Sequence, residues 1–568
     1  MKTVLLALAL LPLAVPARSA EDQVLKAMTD EMNRTVSRLK MDNLDKPYFV
    51  SYYVVDSSET AVSAVFGALK EDGFNAYRHA SVDLRVGAPD FDNSWYVGQD
   101  FNGFEPGVAS LNEEDGYDAI RFSLWSLTDD AYKKALEKHS QKRAYQKKKN
   151  ITELYGDLAP AGKASLFQDR EGIPQADLAA WRERVRALSA IFRKYPEIQS
   201  SQVRFSYNPR LVRFVNSEGT AYRYWWDKVN LDINVSVQDS FGLRLADEKA
   251  FAWRSLAEVP AQAALEAEVD AYARQIAGLT KPAEAEVYLG PVLFEGQAAA
   301  EFLNQLFVGN ISFARQPWAD HEDWMKYYID SGELTKKLGM RVLPAFMDAV
   351  DDPLKAEFNG AGLIGHYPID NEGVRPGRLE LVKGGKLVNF YMGRAPVKEF
   401  RTSNGHGRGF VTEFPTPRPG NVFFSAQPEK RAPLGELKKK LLAAAADNGL
   451  DYAVIVRRVD GEAARKSDAL LAGPVLAYRV SVKDGSEKVI GGSDWAGVTF
   501  RALRDIQLVS DRDQVYNYFQ PGPFYYNRGF VPASIVAPDA LLVQEMELKP
   551  TEAKPDRQPY LPHPYFAN

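Results

Sequence analysis

The 568-residue chain contains no cysteine. That absence excludes a disulfide framework, a cysteine nucleophile, a thiolate zinc or iron-sulfur site, and a lipid anchor on cysteine. A tightly held transition metal would rest on imidazole and carboxylate alone, and only six imidazoles exist: His79, His139, His321, His366, His406 and His563. Charge of one sign is also missing. The 70 Lys and Arg against 75 Asp and Glu leave a net charge of −5, which argues against a general nucleic-acid binder. After the N-terminal segment no run of about 18 or more apolar residues occurs, so no transmembrane segment is expected in the mature chain. Neither a GxxxxGK[ST] phosphate loop nor a GxSxG nucleophile elbow is present.

What is there describes a folded, multidomain chain. Hydrophobic residues at 45% and charged residues at 26% match globular usage, and the length suits about two to four domains. Residues 1–20 join a single Lys2, an apolar run from Val4 to Val15 and small residues, the three-part pattern of a signal peptide cut somewhere within 17–20. The expected location is periplasmic or secreted. A chain without thiols suits an oxidising compartment.

Periodicity suggests an α+β fold in two domains. In the first, Val24, Met28, Met32, Val36 and Leu39 recur at helical spacing over 21–40, and Tyr48–Leu69 is rich in β-branched and aromatic residues. Thr128 and Asp129 can cap a basic helix running to Lys149, read as a solvated face. A helix at Asp177–Tyr195 precedes an antiparallel meander of short strands at 203–207, 211–215, 221–226 and 231–237, turning at Asn216-Ser217-Glu218-Gly219. A helix at Ala261–Leu279 leads to the main boundary near 280–284. Residues 21–282 thus form an N-terminal mixed α/β domain with an antiparallel meander, and 283–549 a C-terminal strand-rich antiparallel domain. In the second, strands are expected at 286–294, 340–350, 379–382, 387–391, 452–459 and 476–482, with a helix at 296–307. Residues 550–568, proline-rich, read as an extended tail.

Gly360-Ala361-Gly362-Leu363-Ile364-Gly365 matches GxGxxG, but His366-Tyr367-Pro368 follows where a helix should open, so it reads as a turn. His321-Glu322-Asp323-Trp324-Met325 has Met where a zinc helix needs its second His. A richer stretch joins Asp351-Asp352-Pro353, Asp370-Asn371-Glu372-Gly373, a hairpin at 379–394, and Ser403-Asn404-Gly405-His406-Gly407-Arg408. Acidic turns around a glycine-rich loop let backbone N–H groups approach a ligand, and Arg408 can grip a carboxylate or phosphate with its fork. Asn404, Gly405, His406, Gly407, Arg408, Asp370 and Glu372 are therefore the candidate substrate-binding residues.

In this order, with Asn216-Ser217-Glu218-Gly219, the stretch Pro291–Phe307, Pro415–Asn421 and Ala537–Leu548, these segments resemble the TldD/PmbA family of modulator-of-gyrase proteins and metallopeptidases. The family's catalytic branch carries HExxxH after the strand, with a cysteine elsewhere completing the metal site. Here those positions read Phe294-Glu295-Gly296-Gln297-Ala298-Ala299, and only the glutamate remains. The resemblance therefore implies the metal-free branch, with no cofactor in this chain and zinc in a partner subunit. It implies a peptide-binding, non-catalytic subunit for extended peptide or unfolded protein, forming a homo- or hetero-oligomer with an HExxxH-bearing homologue. Two alternatives stand beside it. One is a stand-alone hydrolase in which Glu295 or His406 is catalytic, or His366 and His406 hold a metal with nearby carboxylates. The other is a binding or structural protein of the cell envelope.

Overall fold

The computed structural model describes residues 22–41, 43–98, 106–114, 116–169, 173–321, 323, 332–398, 400–461, 469–522, 529–552, 559–560 and 563–566. The expected signal segment lies outside them, as do most of 321–325 and part of the tail.

The first half is one mostly antiparallel sheet with helices on one face. Helix α1 (Gln23–Arg38) opens at Asp22, whose carboxylate accepts the Leu25 N–H at 2.9 Å. Strands β1 (Pro47–Val65) and β2 (Ala68–Ala88) form a long hairpin, and Gly107–Leu111, β3, pairs beside β2. The hairpin turns at Phe66-Gly67, both at positive φ, as a tight two-residue turn requires. Helix α2 (Tyr117–Lys149), strand β4 (Ser165–Phe167) and helix α3 (Leu178–Ala190) precede a second hairpin, β5 (Ile198–Asn216) and β6 (Ala221–Gln238). Strand β7 (Arg244–Trp253) and helix α4 (Gln262–Ala277) complete this half.

The sheet order is β2-β1-β5-β6. Successive strand residues point to opposite faces, so each hairpin serves two surroundings. Val50, Tyr52 and Val54 pack with Val24 and Met28 of α1 and Leu124 and Tyr132 of α2. Further along the same face, Val62, Phe205 and Ile233 pack with Val185 of α3 and Val269 of α4. The opposite face, with Val55, Val212, Phe214, Tyr222 and Tyr224, turns to the second half and meets Ile369.

The second half packs two sheets around one core. Strand β8 (Tyr288–Glu295) runs into helix α5 (Gln297–Leu306). Then come β9 (Met347–Asp351), β10 (Leu379–Lys383), β11 (Asn421–Ala426), helix α6 (Leu434–Asp447), β12 (Tyr452–Val459), β13 (Pro474–Ser481), β14 (Ile506–Ser510), β15 (Asp513–Pro521), β16 (Phe530–Pro538) and β17 (Ala540–Pro550). One sheet runs β14-β17-β8-β12-β13 and the other β10-β9-β11-β16-β15, mostly antiparallel. Val292, Phe294, Phe302, Leu381, Val422, Ile535 and Leu541 share the core between them. Leu293, Ile455 and Leu542 face the other way, under Leu437 and Leu441 of α6. The chain is thus α+β in two parts, and no helix among the described residues is long and apolar enough to cross a membrane.

Several local expectations change. Helix α2 begins at Tyr117, eleven residues before the expected Thr128 cap, because the Thr128 hydroxyl is satisfied inside the helix by the Leu124 carbonyl (2.6 Å) and Tyr52 (2.7 Å). The meander is two strands of 19 and 18 residues rather than four short ones. Only Met347–Asp351 of the expected strand at 340–350 forms, since Val342 and Leu343 instead give their N–H groups to Gly385 across the hairpin turn. Of the expected strand at 387–391, only Leu387 lies in a strand, with Tyr391 in an isolated bridge to Ser312. Helix α6 is not among the expected elements, although Leu437, Leu441 and Ala445 recur every four residues and are all buried.

The basic helix is not wholly a solvated face. Lys133, Lys134 and Arg143 are exposed, but Lys142 is fully buried and gives hydrogen bonds to Asp157 at 2.6 Å and the Ser94 carbonyl at 2.7 Å. Asp157 also pairs with Arg315 of the second half at 2.8 Å. Removing one partner of a buried pair leaves an uncompensated charge, a loss of about 3–5 kcal/mol. Asp157→Ala is therefore expected to lower the unfolding free energy from urea titration by an amount of that order, whereas Lys133→Ala, in an exposed pair with Asp129, should change it by less than about 1 kcal/mol.

Candidate functional site

The motif residues converge, and most of them face inward. Asp370 is 1% exposed, and its carboxylate accepts three backbone N–H groups, from Glu372 (3.0 Å), Val374 (2.8 Å) and Gly407 (3.0 Å). Burial, together with the neighbouring Glu372, pushes its pKa well up. Glu372 accepts the Arg394 N–H at 2.6 Å, and burial raises it to about 7 against the pull of Arg394. Gly393 and Gly407 are glycines because a methyl group on either would lie on the Glu372 carboxylate. Gly405, at φ +78°, turns against the backbone of Pro376.

His406 is fully buried. Its Nδ1 lies 3.0 Å from the Asn404 side-chain oxygen, and its Nε2, without a hydrogen-bond partner, stands 3.7 Å from Asp351. Asp351 in turn accepts the N–H groups of Gly420 (2.8 Å) and Asn421 (3.0 Å). The acidic turns and the glycine-rich loop are thus tied to one another by backbone hydrogen bonds. Asn404 spans the loop, donating to the Phe390 carbonyl and accepting from Met392.

Other candidates lie apart from this knot. His366 is half-buried, and burial beside Arg254 lowers its pKa to about 4, so the ring is neutral near pH 7. Glu295 ends β8. The strand's period of two sends Glu295 with Leu293 to the α6 side, where it pairs with Arg457 (2.8 Å) and Lys438 (3.3 Å). Phe294 points the other way, against Phe302 at 4.7 Å and Trp495 at 5.6 Å. Ala299 is buried inside α5. The residues at these positions do not fit zinc, and among the described residues no group of three or more His, Asp or Glu could hold a metal ion.

A cavity of about 240 Å³ opens between the halves. Its floor is the outward face of the first sheet. Register makes it two cross-strand rows, Tyr77-Ser57-Arg210-Trp226 and His79-Val55-Val212-Tyr224, drawn from β2, β1, β5 and β6. The second half supplies Tyr367, Asn371, Arg408, Phe410 and Pro532. Asn371 holds the halves in register, donating to the Tyr53 hydroxyl at 2.9 Å and accepting the Gly409 N–H at 3.0 Å. Of the candidate residues only Arg408 lines the cavity.

The first-half residues, Tyr53, Tyr77, Arg210, Tyr224 and Trp226, are absent from the sequence-derived set. Their signal is the alternation of aromatic and charged residues on the strand face opposite the helices, legible only once register is known.

The raised pKa of Glu372 sets a pH dependence. The fold holds this proton more tightly than the unfolded chain does, so the stability it contributes is full below the ordinary glutamate range near 4.5 and is lost as pH climbs toward about 7. Glu372→Gln is expected to flatten that fall when urea midpoints are compared between pH 4.5 and 7. A profile with the wild-type slope would contradict the assignment.

Residues 288–549 match the PmbA/TldA metallopeptidase C-terminal domain. No curated protein matches the chain. A candidate modulator of a DNA gyrase from Thermotoga maritima aligns over 88% of this chain and 96% of its own, at 15% identity and a TM-score of 0.57. TldE from Thermococcus kodakarensis aligns over 92% and 99%, at 13% identity and a TM-score of 0.57. A candidate modulator of DNA gyrase from Bacteroides thetaiotaomicron aligns over 93% and 98%, at 9% identity and a TM-score of 0.54. At such identities the structures carry the fold, and the domain match carries the relationship. Residues 288–549 thus carry the C-terminal domain of the PmbA/TldA metallopeptidases, and the chain shares the fold of TldE and of the two candidate modulators of DNA gyrase.

Proposed function

We propose that this protein is an exported, peptide-binding member of the TldD/PmbA family that leaves hydrolysis to a zinc-bearing homologue. The carrying observation is the cavity between the halves, whose floor sets Tyr77, Tyr224 and Trp226 beside Arg210 and whose other wall brings Phe410 and Arg408. An extended peptide can lay an apolar side chain against such rings and a polar or charged group against the guanidinium groups.

Two further observations support the division of labour. The positions that carry HExxxH in the catalytic branch hold a buried Phe294, an ion-paired Glu295 and a buried Ala299. Asp370 and Glu372, on either side of the cavity-lining Asn371, are occupied by backbone groups. Export is supported by the pattern of residues 1–20.

The test uses the purified mature chain. Metal analysis is expected to find zinc well below one per chain, and fluorescence polarisation to detect binding of a labelled, unfolded casein peptide. Trp226→Ala should weaken that binding by about tenfold or more while leaving the circular dichroism spectrum unchanged. Stoichiometric zinc with peptidase activity in the chain alone would overturn the proposal, and undiminished binding by the Trp226 variant would remove the site.

A further inference from the structure

Two guanidinium groups line the cavity, and neither has a carboxylate within ion-pair distance among the described residues. Arg210 gives its Nε hydrogen to Asn208 at 2.6 Å and lies over Trp226 (4.7 Å) and Phe410 (5.1 Å). Arg408, 5% exposed, donates to the carbonyls of Pro419 and Pro532 and lies 4.3 Å from the Tyr367 ring centroid. Surrounding acids are engaged elsewhere. Glu59 pairs with Arg204 at 3.3 Å, Asp56 with Arg78 and Arg213, and Glu372 with the Arg394 backbone.

Two cations in a largely apolar cleft form an unusual arrangement. A buried charge normally has an ionic partner, because desolvation costs far more than neutral hydrogen bonds return. Burial accordingly pulls both guanidinium pKa values down. The missing partner is an anion from outside. A third donor stands ready: Asn371 donates to the Tyr53 oxygen, so the phenol's own hydrogen is available to an acceptor.

The cavity's size narrows the choice. At about 240 Å³ it lies below the ~300–1,000 Å³ of drug-sized ligand sites and suits the end of a chain. We propose that it binds the free C-terminal carboxylate of a peptide, with Arg210 and Arg408 supplying the charge and Tyr77, Tyr224, Trp226 and Phe410 packing an aromatic or apolar last side chain. The fork of an arginine matches a carboxylate, and the aromatic walls exclude water, which strengthens the pairing. This deepens the peptide-binding reading and rests on it: the last residue of the bound peptide would occupy the cavity.

The experiment compares three labelled hexapeptides on the intact chain: one ending in phenylalanine with a free carboxylate, the same peptide amidated, and an amidated peptide carrying glutamate as its penultimate residue. The free acid is expected to bind at least about tenfold more tightly than the amide, as a lost charge-assisted hydrogen bond implies. Arg210→Gln should abolish the difference in affinity between the free acid and the amide. Arg408 is too buried for its variant to be decisive, but the peptide comparison needs no variant. Equal binding of acid and amide by the wild type would overturn the carboxylate proposal and leave the peptide site standing. Failure of both to bind would overturn the two together. If the glutamate amide matches the free acid, the site reads a side-chain carboxylate and the C-terminal assignment falls.

Discussion

The arrangement of this molecule depends on one buried guanidinium. Arg394, in the second half and 1% exposed, donates to the Ala159 carbonyl at 2.9 and 2.7 Å and to Glu218 at 2.8 Å, both in the first half. Its own N–H goes to Glu372. A cation cannot be taken out of water without such partners, so the contact is all or nothing. It fixes the turn at 216–219, the segment near 159 and the acidic turn at 370–373 relative to one another. The cavity has one wall from each half, and it exists because this docking exists.

The same constraint explains why the motifs look chemical and are mostly architectural. Carboxylates beside glycines and a histidine resemble an acid–base site. In the fold, Asp370 accepts the Gly407 N–H and Asp351 those of Gly420 and Asn421, so both acids are taken up in tying backbone segments together. The glycines are there because a carboxylate or a backbone passes where a side chain would start. Charge is spent on closing loops. The cationic side chains left facing the cavity are Arg210 and Arg408, set among aromatic rings, with Ser57, His79 and Asn371 beside them.

That division bears on the family relationship. In the HExxxH positions, the strand's alternation sends Glu295 to one face of its sheet and Phe294 to the other, and the intervening Gly296 at φ +57° turns the chain into α5. Restoring histidines there would also have to undo a packed aromatic contact.

The sequence by itself determined the α+β class, most helices of the first half and which residues stand at the HExxxH positions. These are local facts: periodicity sets an element's type, and a ligand's identity is readable one residue at a time. The Asp-x-Glu-Gly turn and the glycine-rich loop were also legible as neighbours of something polar. Tertiary structure alone decided which of their atoms remain available, because an acid at 370 looks the same in sequence whether it meets substrate or three backbone amides. It alone decided the cavity as well. Tyr77, Ser57, Arg210 and Trp226 are brought side by side by register across four strands, a relation carried by pairing over long sequence separations.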